Sequence, residues 1–242
     1  MEIGPQYGYF PNGSKTHVLA KPHHVEAAKE MFEGTGIVIS TEGERYLGGA
    51  IGTSSFIRCY VKRKVECWVN EMEKLSKIAE TQPHVAYAAY THGLSHKWNY
   101  LLRVTDWEEN QLDDILASME KSIQSRFIPS LTGQPPPGMY TRELLALPAR
   151  LGGLGLTNPT ITAKEQQAVS QQISAPLVDQ IINQDHQFCD CHSAPQSIKR
   201  RIQHVKHTKQ KEDAENIQRN LPTVLQRSME LYQEKGANST PY

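Results

Sequence analysis

Between residues 57 and 79 the apolar side chains return at alternating intervals of four and three: Ile57, Val61, Val65, Trp68, Met72, Leu75 and Ala79. Such spacing places all seven on one stripe of an α-helix, whereas a strand would scatter them over both faces. A stripe of that length has to be covered, and only other packed elements of the chain can cover it. The pattern turns abruptly to helix at Phe56, and Arg58, Lys62 and Lys64 lie off the stripe, where they are expected to face solvent or a ligand.

The residues that follow carry the same signal. Pro83 opens a second helical stretch, "HVAYAAYTHGLSHKWNYLLRV", expected to bend near Gly93. A third helix is expected over residues 111–127, with Leu112, Ile115, Leu116, Met119 and Ile123 inward. The run "TGQPPPGMYT" breaks it and marks a subdomain boundary. Beyond lie "RELLALPARLGGLGLTNP", a polar helix over residues 161–183, and a charged tail from Pro195 whose last helical stretch is expected to stop at Gly236.

The first quarter reads differently. Residues 7–10 and 16–19 resemble strands about Pro11, Asn12 and Gly13, where Asn and Gly would supply the positive φ of a tight hairpin. Residues 22–32 read as a helix with Val25, Ala28 and Phe32 inward. "GIVIST" reads as one strand and "ERYLGGAIG" as a second that ends in glycines. The expected fold class is α+β, mostly α, divided into residues 1–55, 56–130 and 131–242; the first piece is too small to stand alone.

Composition removes several classes. No run of eighteen apolar residues occurs, so a spanning helix is excluded, and "MEIGPQYGYF" lacks the basic and apolar regions of a signal peptide. The four cysteines, Cys59, Cys67, Cys189 and Cys191, are too sparse for a disulfide framework and fit a reducing, intracellular setting, cytoplasmic or nuclear. A formal net charge of zero argues against attraction of nucleic acid to the whole surface, but local basic stretches remain: "RCYVKRK" at residues 58–64 and "KRRIQHVKHTKQK" at residues 199–211, neither holding an acid.

Taken in order, "PNGSKT", a helix, a strand and "YLGGAIG" resemble the closing part of a reverse transcriptase palm, and the resemblance is close to the enzymes of non-LTR-type retrotransposons. "KVECWVNEMEKLSKIAETQPHVAYAAYTHGLSHKWNYLLR", "FIPSLTGQPPP" and "ELLALPARLGGLGLTNP" resemble the thumb and the region beyond it, in the same order and at similar spacing. "RSMELYQEKGANS" is similar to the start of a stretch that would continue past Tyr242 in such polyproteins. On this resemblance residues 1–55 are a palm remnant, 56–130 a thumb and 131–242 a C-terminal extension. Tyr46, Leu47, Gly48 and Gly49 correspond to the grip on the primer strand. Lys15 is the candidate general acid that protonates or steadies pyrophosphate, with Asn12 and Thr16 beside it.

The resemblance implies Mg²⁺ for a complete polymerase, where two ions held by aspartates activate the primer hydroxyl and stabilise the leaving pyrophosphate. The Ala-Asp-Asp or Tyr-x-Asp-Asp turn that would hold them is absent from the sequence. Asp113 and Asp114 lie within an amphipathic helical pattern and read as a solvated face. The expectation is that the fingers and the metal-binding half of the palm precede Met1, that no cofactor belongs to this chain, and that it is not a polymerase by itself. Its expected partner is an RNA–DNA or DNA primer–template duplex, held through phosphate contacts from Arg58, Lys62, Lys64, Lys97 and Arg103. Tyr87, Tyr90, Trp98 and Tyr100 are spaced for a helical core rather than for stacking on bases. The alternative is a non-enzymatic helical module that binds nucleic acid or protein.

Two local patterns invite other chemistry. Cys189, Cys191, His204 and His207 have the twelve-residue gap of a zinc finger, but both the Cys and the His pairs are one residue too close for its usual spacing. His186 and His192 offer substitutes, and a polar linker is the expected reading. "RLGGLGL" has glycines but no dinucleotide spacing; Asn158 and Pro159 after it are expected to block a helix start, so it reads as a structural turn. No nucleophile-elbow context surrounds any serine.

Overall fold

The computed structural model describes residues 4–8, 10, 12–108, 111–184 and 193–237. The fold is α+β and mostly α, with two small two-stranded sheets near the N-terminus followed by helices. It divides into two compact units: Met1–Lys64 with Val104–Leu112, and Val65–Arg103 with Asp113–Tyr242.

In the first unit, β1 (His17–Leu19) pairs in parallel with β2 (Val38–Ser40), with Val18 opposite Ile39, and α1 (Val25–Met31) makes the crossover. Among the described residues the hairpin expected over residues 7–19 is not present, and β1 pairs with β2 instead. Residues Gly4–Tyr7 make a 3₁₀ turn instead, and Asn12 has φ −101°, so it does not supply the left-handed conformation a tight hairpin needs. Its side chain caps a second 3₁₀ turn, Gly13–Lys15, by accepting from the Ser14 amide at 3.1 Å. Gly13 serves close approach: a Cβ there would lie 1.9 Å from the Thr35 carbonyl oxygen. The helix expected over residues 22–32 is present, preceded by a 3₁₀ turn at Pro22–His24, and Val25, Ala28 and Phe32 are its half-buried positions.

"ERYLGGAIG" is not one strand but two. β3 (Gly43–Tyr46) folds back on β4 (Gly49–Gly52), with Tyr46 opposite Gly49, and Leu47 and Gly48 make the turn. Behind it runs α2 (Ser54–Ala79), whose seven stripe residues from Ile57 to Ala79 are all buried, as the periodicity requires.

In the second unit, α3 (Pro83–Ala89) and α4 (Ser95–Val104) are joined by a π turn, Tyr90–Leu94, which contains the Gly93 where a bend was expected. α5 (Asp113–Ser122) reaches α6 (Ile128–Thr132) through another π turn, Ile123–Phe127; Ile115, Leu116, Met119 and Ile123 are buried there, as is Leu112 in the first unit. Aromatic rings centre this core: Tyr90 stacks on Phe127 at 4.9 Å and meets Trp98 edge-on at 5.7 Å. Gly133 in the left-handed conformation ends α6, and the proline run separates it from α7 (Met139–Ala146).

Then come α8 (Pro159–Ile182), α9 (Ser193–Asn220) and α10 (Thr223–Ala237). Asn158 and Pro159 start α8 rather than block it. The Asn158 side chain accepts from the Thr160 amide at 2.9 Å, and proline at the first helical position has no amide to waste. α10 continues through Gly236 to Ala237, one residue past the expected stop. A second cluster, Leu144, Leu147, Ala214, Ile217, Leu221 and Met229, packs α7, α9 and α10 together.

Candidate nucleic-acid interface

The residues expected to grip a primer strand form the tip of the β3–β4 hairpin. Leu47 has φ 46° and Gly48 φ 84°, the consecutive left-handed pair of a two-residue turn that matches strand twist. Asn or Asp normally takes the first of these positions; a leucine there carries a steric cost of about 1–2 kcal/mol. Packing does not offset that cost, because Leu47 is 75% exposed and Tyr46 beside it 63%. The turn is held from behind, where the Tyr60 hydroxyl on α2 donates to the Gly48 carbonyl at 2.9 Å. Gly49 lies against Val104, whose Cγ2 would be 3.0 Å from an added Cβ, and Ala50 is buried. A strained, exposed, apolar tip on a fixed base is the kind of local conflict that functional sites retain.

The basic turn of α2 that follows is divided in its duties. Arg58 is half-buried and its guanidinium donates to the Gln111 carbonyl. Gln111 in turn donates from its side chain to the Ser54 carbonyl at 2.7 Å, so Arg58 helps fasten the 104–112 segment to α2. Lys64 lies over the Tyr60 ring, 5.7 Å from its centroid, and so steadies the residue that props the hairpin. Lys62 is exposed.

In the second unit, Lys97 is bonded to Glu71 at 2.7 Å and Arg103 is exposed. Tyr90 and Trp98 are fully buried, as their spacing suggested. Burial drives the Tyr90 hydroxyl well above the ordinary phenol range, with Arg142 nearby opposing and Glu120 adding to the shift, so it stays protonated. Tyr87 is half-buried and donates to the Leu154 carbonyl at 2.7 Å, while Tyr100 is exposed.

Lys15 is exposed on its 3₁₀ turn, its amide bonded to the Asn12 carbonyl at 3.1 Å. Thr16 Oγ1 donates to the same carbonyl at 2.9 Å, so Asn12 and Thr16 both serve the turn's own geometry. Asp113 and Asp114 occupy the exposed first turn of α5, where carboxylates favour the positive end of the helix dipole. Among the described residues no three His, Cys, Asp or Glu side chains come together in a group that could hold a metal ion. Of the zinc candidates, His204 and His207 are exposed on α9; Cys189 and Cys191, like His186 and His192, lie outside the described residues.

The "RLGGLGL" turn spends its amides internally: Gly155 donates to the Leu147 carbonyl at 2.8 Å and Leu156 to the Leu145 carbonyl at 3.0 Å. It is a structural turn, as its spacing indicated. Among the described residues no helix is long and apolar enough to cross a membrane.

Two features escaped the sequence. The turn at Leu47 could have been suspected from Leu-Gly flanked by strand-like residues, but leucine is a poor signal for a left-handed position. The Tyr60 prop has no sequence signature, since α2 periodicity alone assigns it no hairpin contact. Comparison with protein-family models, with curated proteins and with solved structures found no match.

Proposed function

We propose that this chain is the palm-edge and thumb portion of a non-LTR-type reverse transcriptase, and that it acts as a duplex-binding module rather than as a polymerase. The β3–β4 hairpin carries the reading: the segment that resembles a primer grip has an exposed, strained tip, Tyr46 and Leu47, fixed to α2 through Tyr60. Lys62 supplies exposed charge on the same helix, with Lys64 half-buried beside it, suited to phosphates and indifferent to sequence. Nucleotidyl transfer is not part of this proposal, because the Ala-Asp-Asp or Tyr-x-Asp-Asp turn it requires does not occur in the sequence. Lys15 acts as a general acid only within a complete polymerase, beside the metals and the nucleotide it serves.

The test is fluorescence anisotropy with a labelled RNA–DNA hybrid, comparing the native chain with Leu47→Asn. Asparagine accepts the left-handed conformation, so the variant is expected to be more stable by about 1 kcal/mol. It is also expected to bind the hybrid severalfold more weakly, having lost the apolar tip. A variant that is more stable and binds equally well would reject the hairpin as a grip.

A second reading, a helical protein-interaction module, is favoured by one observation. Leu177, Val178, Ile181 and Ile182 are exposed along the C-terminal half of α8, at spacings that share a face. Sedimentation velocity over a concentration series tests it for self-association: a mass that rises above the 27.3 kDa of one chain, and falls back in Leu177→Ser/Ile181→Ser, would favour that reading.

A further inference from the structure

The basic run of α9 splits into an inner and an outer set. Ile198 and Ile202 are half-buried, and Ala214 and Ile217 are in the core, which fixes the inward face of the helix. Lys206 and Lys209 lie toward that face, lining a cleft of about 400 Å³ that also holds Glu143, Glu165 and Asp213. Lys209 bonds Glu165 at 2.7 Å, and that bond raises its pKa above the ordinary lysine value. The inner cations are therefore matched by acids within the fold.

The outer set has no such match. Arg200, His204, His207 and Lys211 recur at intervals of four, three and four, so they form one exposed stripe about 16 Å long, with Arg201 and Thr208 beside it. No acid occurs between Ser193 and Lys211, and Arg200, Arg201 and Lys211 have no ion pair among the described residues. An exposed helix ordinarily gains from alternating charges at i and i+4; this run forgoes that gain for thirteen residues, then turns acidic at Glu212, Asp213 and Glu215. Neither packing nor helix stability accounts for it.

We propose that the outer stripe of α9 is a nucleic-acid backbone site, separate from the hairpin and independent of the polymerase reading. Charge complementarity selects the occupant. A nucleic-acid strand offers a phosphate every 3.4 Å or so, against a donor at each helical turn of about 5.4 Å, so several phosphates are within reach in any register. Arginine guanidinium groups and the N–H and O–H donors of histidine and threonine suit phosphate oxygens. A membrane surface suits the stripe poorly, since surface-lying helices bury a continuous apolar face in lipid, whereas among the described residues of α9 Val205 is the one large apolar side chain left exposed and Ala214 and Ile217 lie in the core.

The experiment uses the full chain, a fluorescein-labelled duplex and a salt series. Arg200→Gln/Arg201→Gln/Lys211→Gln removes three outer cations without touching a buried side chain. It is expected to reduce the slope of log K against log salt by about 2.7, and to weaken binding on the order of a hundredfold at 0.1 M salt. Arg200→Lys/Arg201→Lys/Lys211→Arg should keep the native slope. An unchanged slope in the glutamine variant overturns the proposal. So does displacement of the duplex by polyglutamate at equal charge concentration, which would assign the stripe to an acidic protein instead. Leu47→Asn removes no charge and should leave the slope alone, so failure of this site and failure of the hairpin are distinguishable.

Discussion

Replacing Arg142 with alanine is expected to cost the second unit about 3–5 kcal/mol, among the largest effects of any single change away from the aromatic core. Arg142 is only 5% exposed, yet it carries a full charge. Its guanidinium holds Glu120 on α5 through two bonds, 2.6 and 2.8 Å, and donates a third at 2.6 Å to the Leu156 carbonyl. One side chain thus ties α5, α7 and the glycine-rich turn together. Truncating it strands a largely buried carboxylate and a carbonyl oxygen without partners, which is why the loss exceeds the net worth of the pair. With a urea dependence of about 3 kcal/mol/M, the unfolding midpoint should fall by more than about 1 M. The double variant Arg142→Met/Glu120→Leu should recover most of that loss, since it removes both charges together. A midpoint for Arg142→Ala within about 0.2 M of the native one would show that the bridge contributes little.

The second large effect is expected at Gly153. A Cβ there would lie 2.0 Å from the Leu147 carbonyl oxygen and 2.5 Å from that of Leu144. Both obstructing atoms are backbone, held by the amides of Gly155 and by the end of α7, so they cannot turn aside as a flexible side chain would. Gly153→Ala is expected to destabilise by about 2–4 kcal/mol, through overpacking and loss of one or two turn hydrogen bonds. Gly93→Ala is the control: a Cβ there meets nothing within 4 Å, and in a helical stretch alanine should be neutral or stabilising by up to about 1 kcal/mol. Thermal or urea unfolding of the pair separates the two uses of glycine. Equal stability of both variants would mean that the turn is looser than its geometry implies.

Much of the helical fold was legible because its signal is long. Seven apolar residues from Ile57 to Ala79 vote for one period, and the inward set from Leu112 to Ile123 repeats the vote, so local exceptions cannot overturn either. Short β elements give no such redundancy. Asn12 and Gly13 have the residues of a hairpin turn, but the side chain of one makes a competing local cap to Ser14, and the other admits the Thr35 carbonyl, which depends on chain distant in sequence. The same dependence on context hid the β3–β4 turn, where a leucine takes a position that residue statistics reserve for asparagine. Asn158 and Pro159 show the reverse error: proline was weighed as a breaker, although at the first helical position it initiates. At the candidate interface, sequence named Arg58, Lys62, Lys64, Lys97 and Arg103 as a set of cations. It could not reveal that Arg58 is engaged by the Gln111 carbonyl or Lys97 by Glu71, because both partners are remote along the chain.

The central claim, that this chain holds a nucleic-acid duplex by its backbone, is tested most directly by titrating the purified native protein into a labelled RNA–DNA hybrid from about 20 to 300 mM salt. The account predicts sequence-independent binding whose log K falls linearly with log salt, with a slope of about −2.7 or steeper, that being the share of Arg200, Arg201 and Lys211. No binding at the lowest salt, from protein that unfolds cooperatively and is therefore folded, would contradict it.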